Sequence, residues 1–297
     1  MKIRIGSRGS ALARWQAEHV QSRLVALGHD VSITIITTTG DRVLDRRLDN
    51  VGGKGAFLKE IEEAMLAGEI DLAVHSLKDV PTALPVGLQL CAFLERADPR
   101  DAFISRGGRP LSELPAGARL GTTSLRRQAQ LRAARPDLVL ADLRGNVDTR
   151  LQRLREGAYD AILLAMAGVT RLGRAGEVTE ALPPEVMLPA PGQGAIALEC
   201  READRDLREV AAALNHAVTE RCVTAERVFL AGLGGGCNVP LGAYAQADGD
   251  SLRLRGLVAR EDGSVVLTGE RRGAEPEALG RDLAGDLLEK GAGELLA

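Results

Sequence analysis

Aromatic residues are scarce in this sequence, and their scarcity restricts both the core and the ligands. Phe, Trp and Tyr make up 2% of the 297 residues, whereas hydrophobic residues as a whole make up 45%. The core must therefore be built from aliphatic side chains. Stacking of single-stranded nucleic-acid bases needs aromatic side chains, and a net charge of −3 gives no overall attraction to phosphates. We expect no nucleic-acid partner.

Long apolar segments are also missing. No stretch approaches the ~18 consecutive apolar residues that indicate a membrane-spanning helix. The N-terminal stretch MKIRIGSRGS lacks the apolar region of an export signal. We therefore expect a cytoplasmic protein without membrane contact. The length is sufficient for two or three domains of about 100–150 residues each.

The four cysteines, Cys91, Cys200, Cys222 and Cys237, form no C-x-x-C pair, and the four histidines are scattered. Zinc-site spacing is absent, so we expect reduced thiols and no metal. Cys237 stands in GLGGGCNVPLG, where glycines free the backbone and Pro240 restricts it. This composition indicates a shaped loop. Taken alone, the loop is compatible with an inert thiol or with a thiol nucleophile.

Lysine is rare, and arginine supplies most of the positive charge. Only five of the 38 basic residues are lysine, which leaves 33 arginines. We interpret most of this bias as a compositional preference. Arginines in loops and at helix starts are different, because the planar guanidinium group suits carboxylate and phosphate ligands better than an ammonium group does.

The hydrophobic pattern alternates between strand and helix over most of the chain. KIRIG predicts a strand, Ser10 a helix N-cap, and ALARWQAEHVQSRLVALG a helix that ends at Gly28; VSITIITTTG predicts the next strand. Repeated strand–helix–strand units predict a parallel sheet with right-handed crossovers. From Gly242 the period changes to two, which predicts a meander of strands covered by a final helix. The sequence thus predicts an α/β fold with two α/β domains and a smaller C-terminal α+β domain.

Candidate binding residues follow several predicted strands. Ligands of open α/β sheets bind beyond the carboxyl ends of the strands, and polar loops or helix starts with arginines favour anions there. This rule selects Arg8, Ser10, Lys78, Asp79, Thr122, Ser124, Arg126, Arg127, Arg144, Arg150 and Arg171. Their repeated placement predicts a polyanion-binding cleft between two domains.

Asp79 stands apart because it is a carboxylate among cations. Its position alone favours an ion pair or a helix N-cap, and the other interpretation is an acid/base or cation-stabilising group. His75 lies in an apolar strand and is interpreted as a hydrogen-bonded core residue. GGKG at 52–55 lacks the full phosphate-loop pattern, so we exclude a Walker motif.

Several of these stretches together resemble one enzyme family. VGGKGAFLKE, DLAVHSLKDVP, GTTSLRRQAQL, LRGNVDTRL, PGQGAIALEC and ERVFLAGLGGGCNVPLG occur in the order found in the porphobilinogen deaminase (hydroxymethylbilane synthase) family. The resemblance runs from about residue 3 to the C-terminus. It implies two periplasmic-binding-protein-like α/β domains flanking a cleft, at 1–94 plus 195–212 and at 100–188, and a C-terminal α+β domain at 217–297.

The resemblance also implies an activity. Family members are transferases that deaminate porphobilinogen and join four molecules head to tail on a covalent dipyrromethane primer. They release hydroxymethylbilane and ammonia in tetrapyrrole biosynthesis. Cys237 matches the cysteine that carries the dipyrromethane cofactor through a thioether, and a monomer is expected.

Roles for the candidate residues follow from the same resemblance. The residues expected to hold the cofactor carboxylates are Lys78, Ser124, Arg126, Arg127 and Arg150. Those expected to hold the incoming ring and the ring it joins are Arg8, Ser10, Thr122, Arg144 and Arg171. Asp79 matches the aspartate that stabilises the cationic pyrrole formed on loss of ammonia and transfers protons.

Two departures and two alternatives accompany the resemblance. Asn50 replaces a lysine that many relatives carry before VGGKG, although Lys54 is retained, and Gly234 stands where some relatives are acidic. An anion-binding solute receptor would also have two α/β domains, but it would leave Cys237 and the third domain without a role. An enzyme with a Cys–His pair would need a histidine that the sequence does not place near Cys237.

Overall fold

The computed structural model describes residues 1–42, 58–234 and 239–296. The chain forms two compact units, a first unit of Met1–Ala97 with Ala195–Glu220 and a second unit of Asp98–Gly194 with Arg221–Ala297. No helix in the described ranges has the length and apolarity needed to cross a membrane. The predicted domain boundaries stay predictions.

Strands and helices alternate along most of the described chain. The strands are β1 (Lys2–Ser7), β2 (Asp30–Ile35), β3 (Leu72–Ser76), β4 (Leu88–Phe93), β5 (Asp101–Ser105), β6 (Arg119–Gly121), β7 (Val139–Ala141), β8 (Ala161–Ala165), β9 (Glu180–Leu182), β10 (Ile196–Arg201), β11 (Leu241–Asp248), β12 (Ser251–Ala259) and β13 (Val266–Gly273). The helices are α1 (Ala11–Ala26), α2 (Thr39–Arg42), α3 (Lys59–Leu66), α4 (Leu125–Ala134), α5 (Val147–Arg155), α6 (Met166–Arg171), α7 (Arg205–Ala212), α8 (Ala217–Gly232), α9 (Pro276–Glu289) and α10 (Ala292–Leu296).

The sheet of the first unit has the strand order β2-β1-β3-β10-β4. β1 runs parallel to β2 and β3, whereas β10 is antiparallel to both β3 and β4. The prediction of a parallel sheet is therefore wrong for β10. This strand enters the sheet at Ile196, more than a hundred residues after β4, so no short helical crossover fixes its direction.

The second unit contains a sheet built on the same plan, with the order β7-β6-β8-β5-β9. β6 is parallel to β7 and β8, and β5 is antiparallel to β8 and β9. Here too the fourth strand in the order runs against its neighbours. The two five-stranded sheets with their helices confirm the α/β class.

The first helix forms as its sequence predicts. Ser10 is extended, and its side chain accepts a hydrogen bond from the backbone of Ala13, so it caps the helix. Ala17, Val20 and Leu24 recur at helical spacing and are buried in the core of the first unit. Gly28 follows the helix with a φ of 88°, a backbone conformation that suits glycine.

The third sheet, β11-β12-β13, is the predicted antiparallel meander and lies in the second unit. α9 covers one face of it, with Leu279, Leu283 and Leu287 buried at four-residue spacing. The turn between β12 and β13 contacts α4, where Arg132 Nη1 donates to the Glu261 carbonyl. This contact connects the third sheet to the helix that begins with two candidate arginines.

Some predicted elements differ from the structure. The strand predicted through residue 40 ends at Ile35 and is followed by α2, whereas β4, β9 and α10 were not predicted. The predictions for Asn50, for GGKG at 52–55 and for Cys237 lie outside the described residues.

Candidate active site

A cavity of about 80 Å³ in the first unit brings together three of the predicted site residues, Arg8, Ser10 and Asp79. Gln16, His75 and Ser76 also line it. The cavity therefore combines a guanidinium group, hydroxyls, an amide, an imidazole and a carboxylate within one small volume.

The strand ends explain why these residues meet. β1 ends at Ser7, and Arg8 and Ser10 follow; β3 ends at Ser76, and a 3-10 turn over Leu77–Asp79 follows. Because β1 and β3 are parallel neighbours, their carboxyl ends lie at the same edge of the sheet. Lys78 lies in the same turn and is half-buried.

The turn after β3 has a fixed conformation. Leu77 is buried, and the backbone N–H of Val80 donates to its carbonyl at 3.0 Å. Ser76 is the residue that precedes the turn, and Asp79 is its last residue. The interpretation of Asp79 as a helix N-cap is therefore wrong, and Asp79 is one of the residues that line the cavity.

His75 has a buried partner that the sequence did not indicate. Its Nε2 lies 2.8 Å from Oε2 of Glu199 on β10, and both side chains are buried. The interpretation of His75 as a hydrogen-bonded core residue is confirmed. Burial of the Glu62 carboxyl on α3 raises the pKa of this group, and the nearby charge of Glu199 raises it further. His75, which lines the cavity, is thus held by a polar pair that joins β3 to β10.

Gln16 is a further polar group of the cavity that sequence reasoning missed. Its Nε2 donates to Oγ of Ser76 at 2.8 Å, which ties α1 to the end of β3. The signal was present in the sequence, because Gln16 lies beside Ala17 on the buried face of α1, where an apolar residue is expected.

In the second unit, Arg126 and Arg127 lie at the start of α4 and share one carboxylate, that of Asp101. Arg126 donates to it from Nη1 at 2.7 Å and from Nη2 at 3.2 Å. Arg127 donates from Nε at 3.1 Å and from Nη2 at 2.6 Å. The amide of Gln193 adds a bond of 3.0 Å. Asp101 and Gln193 were not among the predicted site residues.

The shared carboxylate stays ionised. Burial alone would raise the pKa of Asp101, but the charges of Arg126 and Arg127 and their hydrogen bonds outweigh it, and the pKa lies well below its usual range. Asp101 is 0% exposed and the side chains of the arginines are 5% and 7% exposed. The three side chains therefore form a buried, charged cluster.

Thr122 and Ser124 lie just before this cluster. Oγ1 of Thr122 accepts from the backbone N–H of Ser124 at 3.3 Å, and Ser124 precedes α4 without capping it through its side chain. Ser124 is thus the N-cap residue of α4 by its backbone position alone.

The remaining arginines of the second unit lie on separate elements. Arg144 is half-buried in the loop before α5, and Nε of Arg150 on α5 donates to the Gly145 carbonyl of that loop at 2.7 Å. Arg171 on α6 donates from Nη2 to the Gly194 carbonyl at 2.7 Å. Burial lowers its pKa to about 10, so it remains protonated at neutral pH.

Among the described residues, no group of three or more His, Cys, Asp or Glu side chains is arranged to hold a metal ion.

Comparison with known proteins identifies the family. The family model "Porphobilinogen deaminase, dipyromethane cofactor binding domain" matches residues 3–209, and "Porphobilinogen deaminase, C-terminal domain" matches residues 220–289. A relative from Chromobacterium violaceum, described as porphobilinogen deaminase, is 53% identical over 300 residues, which cover 100% of this chain and 97% of the relative.

Solved structures with a similar backbone are more distant. A periplasmic substrate-binding protein of an ABC transporter from Coxiella burnetii has 14% identity and a TM-score of 0.45, covering 76% of this chain and 96% of that one. The periplasmic VFT2 domain of BvgS from Bordetella pertussis has 15% identity and a TM-score of 0.42, covering 76% and 91%. Likeness at this level says nothing about the ligand. The two family models and the full-length relative show that the chain belongs to the porphobilinogen deaminase family.

Proposed function

We propose that this chain deaminates porphobilinogen and joins four molecules head to tail on a dipyrromethane primer, releasing hydroxymethylbilane and ammonia for tetrapyrrole biosynthesis. The observation that carries the proposal is the cavity of the first unit, which sets Asp79 beside Arg8 and Ser10. A substrate that bears carboxylates and develops positive charge during reaction needs both kinds of group at once.

Arg8 and Ser10 are suited to the carboxylates of the incoming ring. Porphobilinogen carries an acetate and a propionate, and a guanidinium group binds a carboxylate through two parallel hydrogen bonds. The hydroxyl of Ser10 already caps α1, so the same residue fixes the helix start and borders the cavity. For Thr122, Arg144 and Arg171, which lie in the second unit, we propose roles in holding the substrate and the ring it joins.

Asp79 is suited to the charge that appears when ammonia leaves. The pyrrole that remains is cationic, and a carboxylate fixed near it stabilises that charge where it develops. The same group supplies a proton to the leaving amine and accepts one after the carbon–carbon bond forms. The buried Leu77 anchors the turn that presents Asp79.

The residues of the second unit fit a group that carries several carboxylates. Two arginines share a single aspartate in the buried cluster, and Nε of Arg126 is buried without a hydrogen-bond partner among the described residues. The Nε–H group of Arg126 is therefore suited to donate a hydrogen bond to a further anionic oxygen. We assign Lys78, Ser124, Arg126, Arg127 and Arg150 to the cofactor carboxylates. When bound, the dipyrromethane group supplies the free pyrrole position at which the first substrate is joined.

The attachment of that group is part of the proposal. We assign it to a thioether on Cys237, and we expect a monomer that acts in the cytoplasm. A solute receptor is not favoured, since family membership covers the whole chain.

The test is the intact mass of the purified protein, with peptide mapping across residues 228–253. A mass excess of two pyrrole units on Cys237 is expected. If the thiol is unmodified, porphobilinogen is added: an apoprotein of the proposed enzyme gains the adduct. A protein that gains none, and releases no ammonia, contradicts the proposed function.

A further inference from the structure

The guanidinium groups of Arg126 and Arg127 meet at one point although their positions in α4 direct them apart. Consecutive residues of an α-helix project about 100° from each other, and neighbours in sequence do not face each other on a helix. Both groups nevertheless reach the carboxylate of Asp101. Arg126 also donates to the Leu188 carbonyl at 2.6 Å, and Arg127 to the Leu163 carbonyl at 2.9 Å. The carboxylate of Asp101 is therefore the group at which the two guanidinium groups meet.

The carboxylate also sets the charge of the cluster. Burial lowers the pKa of Arg126, Asp101 opposes that effect, and the positive charge of Arg127 adds to it, so the two arginines repel each other. Two guanidinium charges and one carboxylate charge leave +1 on Arg126, Arg127 and Asp101 together. A buried charge of this kind is stabilised when an anion completes it.

The position of Asp101 is fixed by the sheet rather than by the arginines. It is the first residue of β5, opposite Ala165 of β8 and Leu182 of β9. With antiparallel neighbours on both sides, the backbone of Asp101 has little freedom. A side chain on such a rigid element can hold its partners in a defined geometry.

We propose that Asp101 is a positioning residue, which draws Arg126 and Arg127 together and limits the charge of their cluster to +1, so that the cluster receives one carboxylate of the primer. Asp101 itself touches neither substrate nor primer. The inference rests on the proposed function, because the primer is the ligand that the two arginines are assigned to hold.

The experiment follows the gain of the two-pyrrole adduct by apoprotein mixed with porphobilinogen, measured by intact mass against time and expressed per folded molecule. The variants are Asp101→Asn, which removes the charge at constant size, and Asp101→Glu, which keeps the charge but moves it by one methylene. Ser105→Ala is the matched control, since Ser105 is a buried polar residue of the same strand whose hydroxyl donates to the Arg109 carbonyl and contacts the hydroxyl of Thr179. Each series is repeated with added sulfate.

We expect Asp101→Asn and Asp101→Glu to gain the adduct about tenfold more slowly or worse, because misplacement by about 1 Å is costly for an aligned site. Ser105→Ala should gain it at the wild-type rate, even if its melting temperature falls. In Asp101→Asn the cluster charge rises to +2, so sulfate should inhibit at about tenfold lower concentration than in wild type.

Three results would overturn the inference: adduct gain within twofold of wild type in Asp101→Asn, slow gain with unchanged sulfate inhibition, or an equal defect in Ser105→Ala. If Asp101→Asn does not fold, Asp101→Glu decides, and a wild-type rate in that variant overturns the role. Wild-type apoprotein that gains no adduct contradicts the proposed function instead, so the two failures are distinguishable.

Discussion

A carboxylate stands just outside each end of β3, and only the one that follows the strand lines the cavity. Asp71 precedes β3 and pairs with Arg4 at 2.6 Å, whereas Asp79 follows it. Asp79→Asn should retain the cofactor, seen by intact mass, and lower the initial rate of turnover about 100-fold or more, as loss of a general acid/base does. Asp71→Asn is the matched control and should turn over like wild type. Near-normal turnover of Asp79→Asn would contradict the role given to Asp79.

Asp71 has a separate consequence for stability against pH. The hydrogen bond from Arg4 outweighs burial and lowers the pKa of Asp71 to about 2. A carboxyl group whose pKa is depressed in the folded state stabilises the protein above its unfolded pKa of about 3.9, and the contribution is lost as the pH falls through the folded value. Wild type should therefore be more stable than Asp71→Asn at neutral pH, and the difference should shrink between about pH 4 and pH 2. Urea unfolding at several pH values measures it, and a difference independent of pH would count against the ion pair.

At the scale of elements, the β12–β13 turn is pressed against α4. Gly263 has a φ of +74°, and a Cβ there would lie 2.8 Å from the Ala129 carbonyl oxygen and 2.9 Å from the Ala133 nitrogen. Gly249 in the β11–β12 turn has a φ of +61° but nothing within 4 Å. Gly263→Ala should lower the free energy of unfolding by about 1–3 kcal/mol more than Gly249→Ala, because only the first adds a steric clash to the backbone strain.

Urea unfolding of the two glycine variants gives the comparison directly. Since both positions have positive φ, the strain common to them cancels in the difference. Equal losses would mean that the turn moves away from α4 at little cost, and the contact would then not stabilise the helix that carries Arg126 and Arg127.

The elements differ in how well their sequences predict them. α1 could be predicted fully, because Ser10, the apolar spacing and Gly28 are local signals. The direction of β10 could not, since its partners β3 and β4 lie more than a hundred residues away and strand pairing leaves no local mark. β4 was missed because LQLCAF has neither strict alternation nor turn residues close at both ends.

The residues of the candidate site also differ in how well the sequence predicts them. The strand-end rule, which needs only the order of elements, selected Arg8, Ser10 and Asp79 from the sequence, and in the structure these three residues line one cavity. Asp101 and Glu199 were missed because both belong to apolar strands, Asp101 as the first residue of β5 and Glu199 as an inner residue of β10. There a lone carboxylate gives no hint of its distant partner until the sheet is assembled.

At the scale of the whole molecule, four additions require the growing chain of rings to be held throughout. Arg144→Leu should retain the cofactor but stall elongation, because each ring brings two more carboxylates that need a cation. Intact mass during turnover should show partly elongated species in larger proportion than in wild type. Arg153→Leu, on an exposed position of α5, is the control. An unchanged distribution in Arg144→Leu would contradict its role.

The interleaved strand order of the first sheet has a consequence for how the chain folds during synthesis. β10 lies between β3 and β4 and supplies the pairing partner of both, yet it begins at Ile196, whereas β4 ends at Phe93. The five-stranded sheet of the second unit is complete by Leu182. On the ribosome, the N-terminal half of the first unit therefore emerges first, but its sheet cannot be completed until β10 has been synthesised. The middle of the chain can close its sheet before the beginning can, which reverses the usual N-terminal-first order.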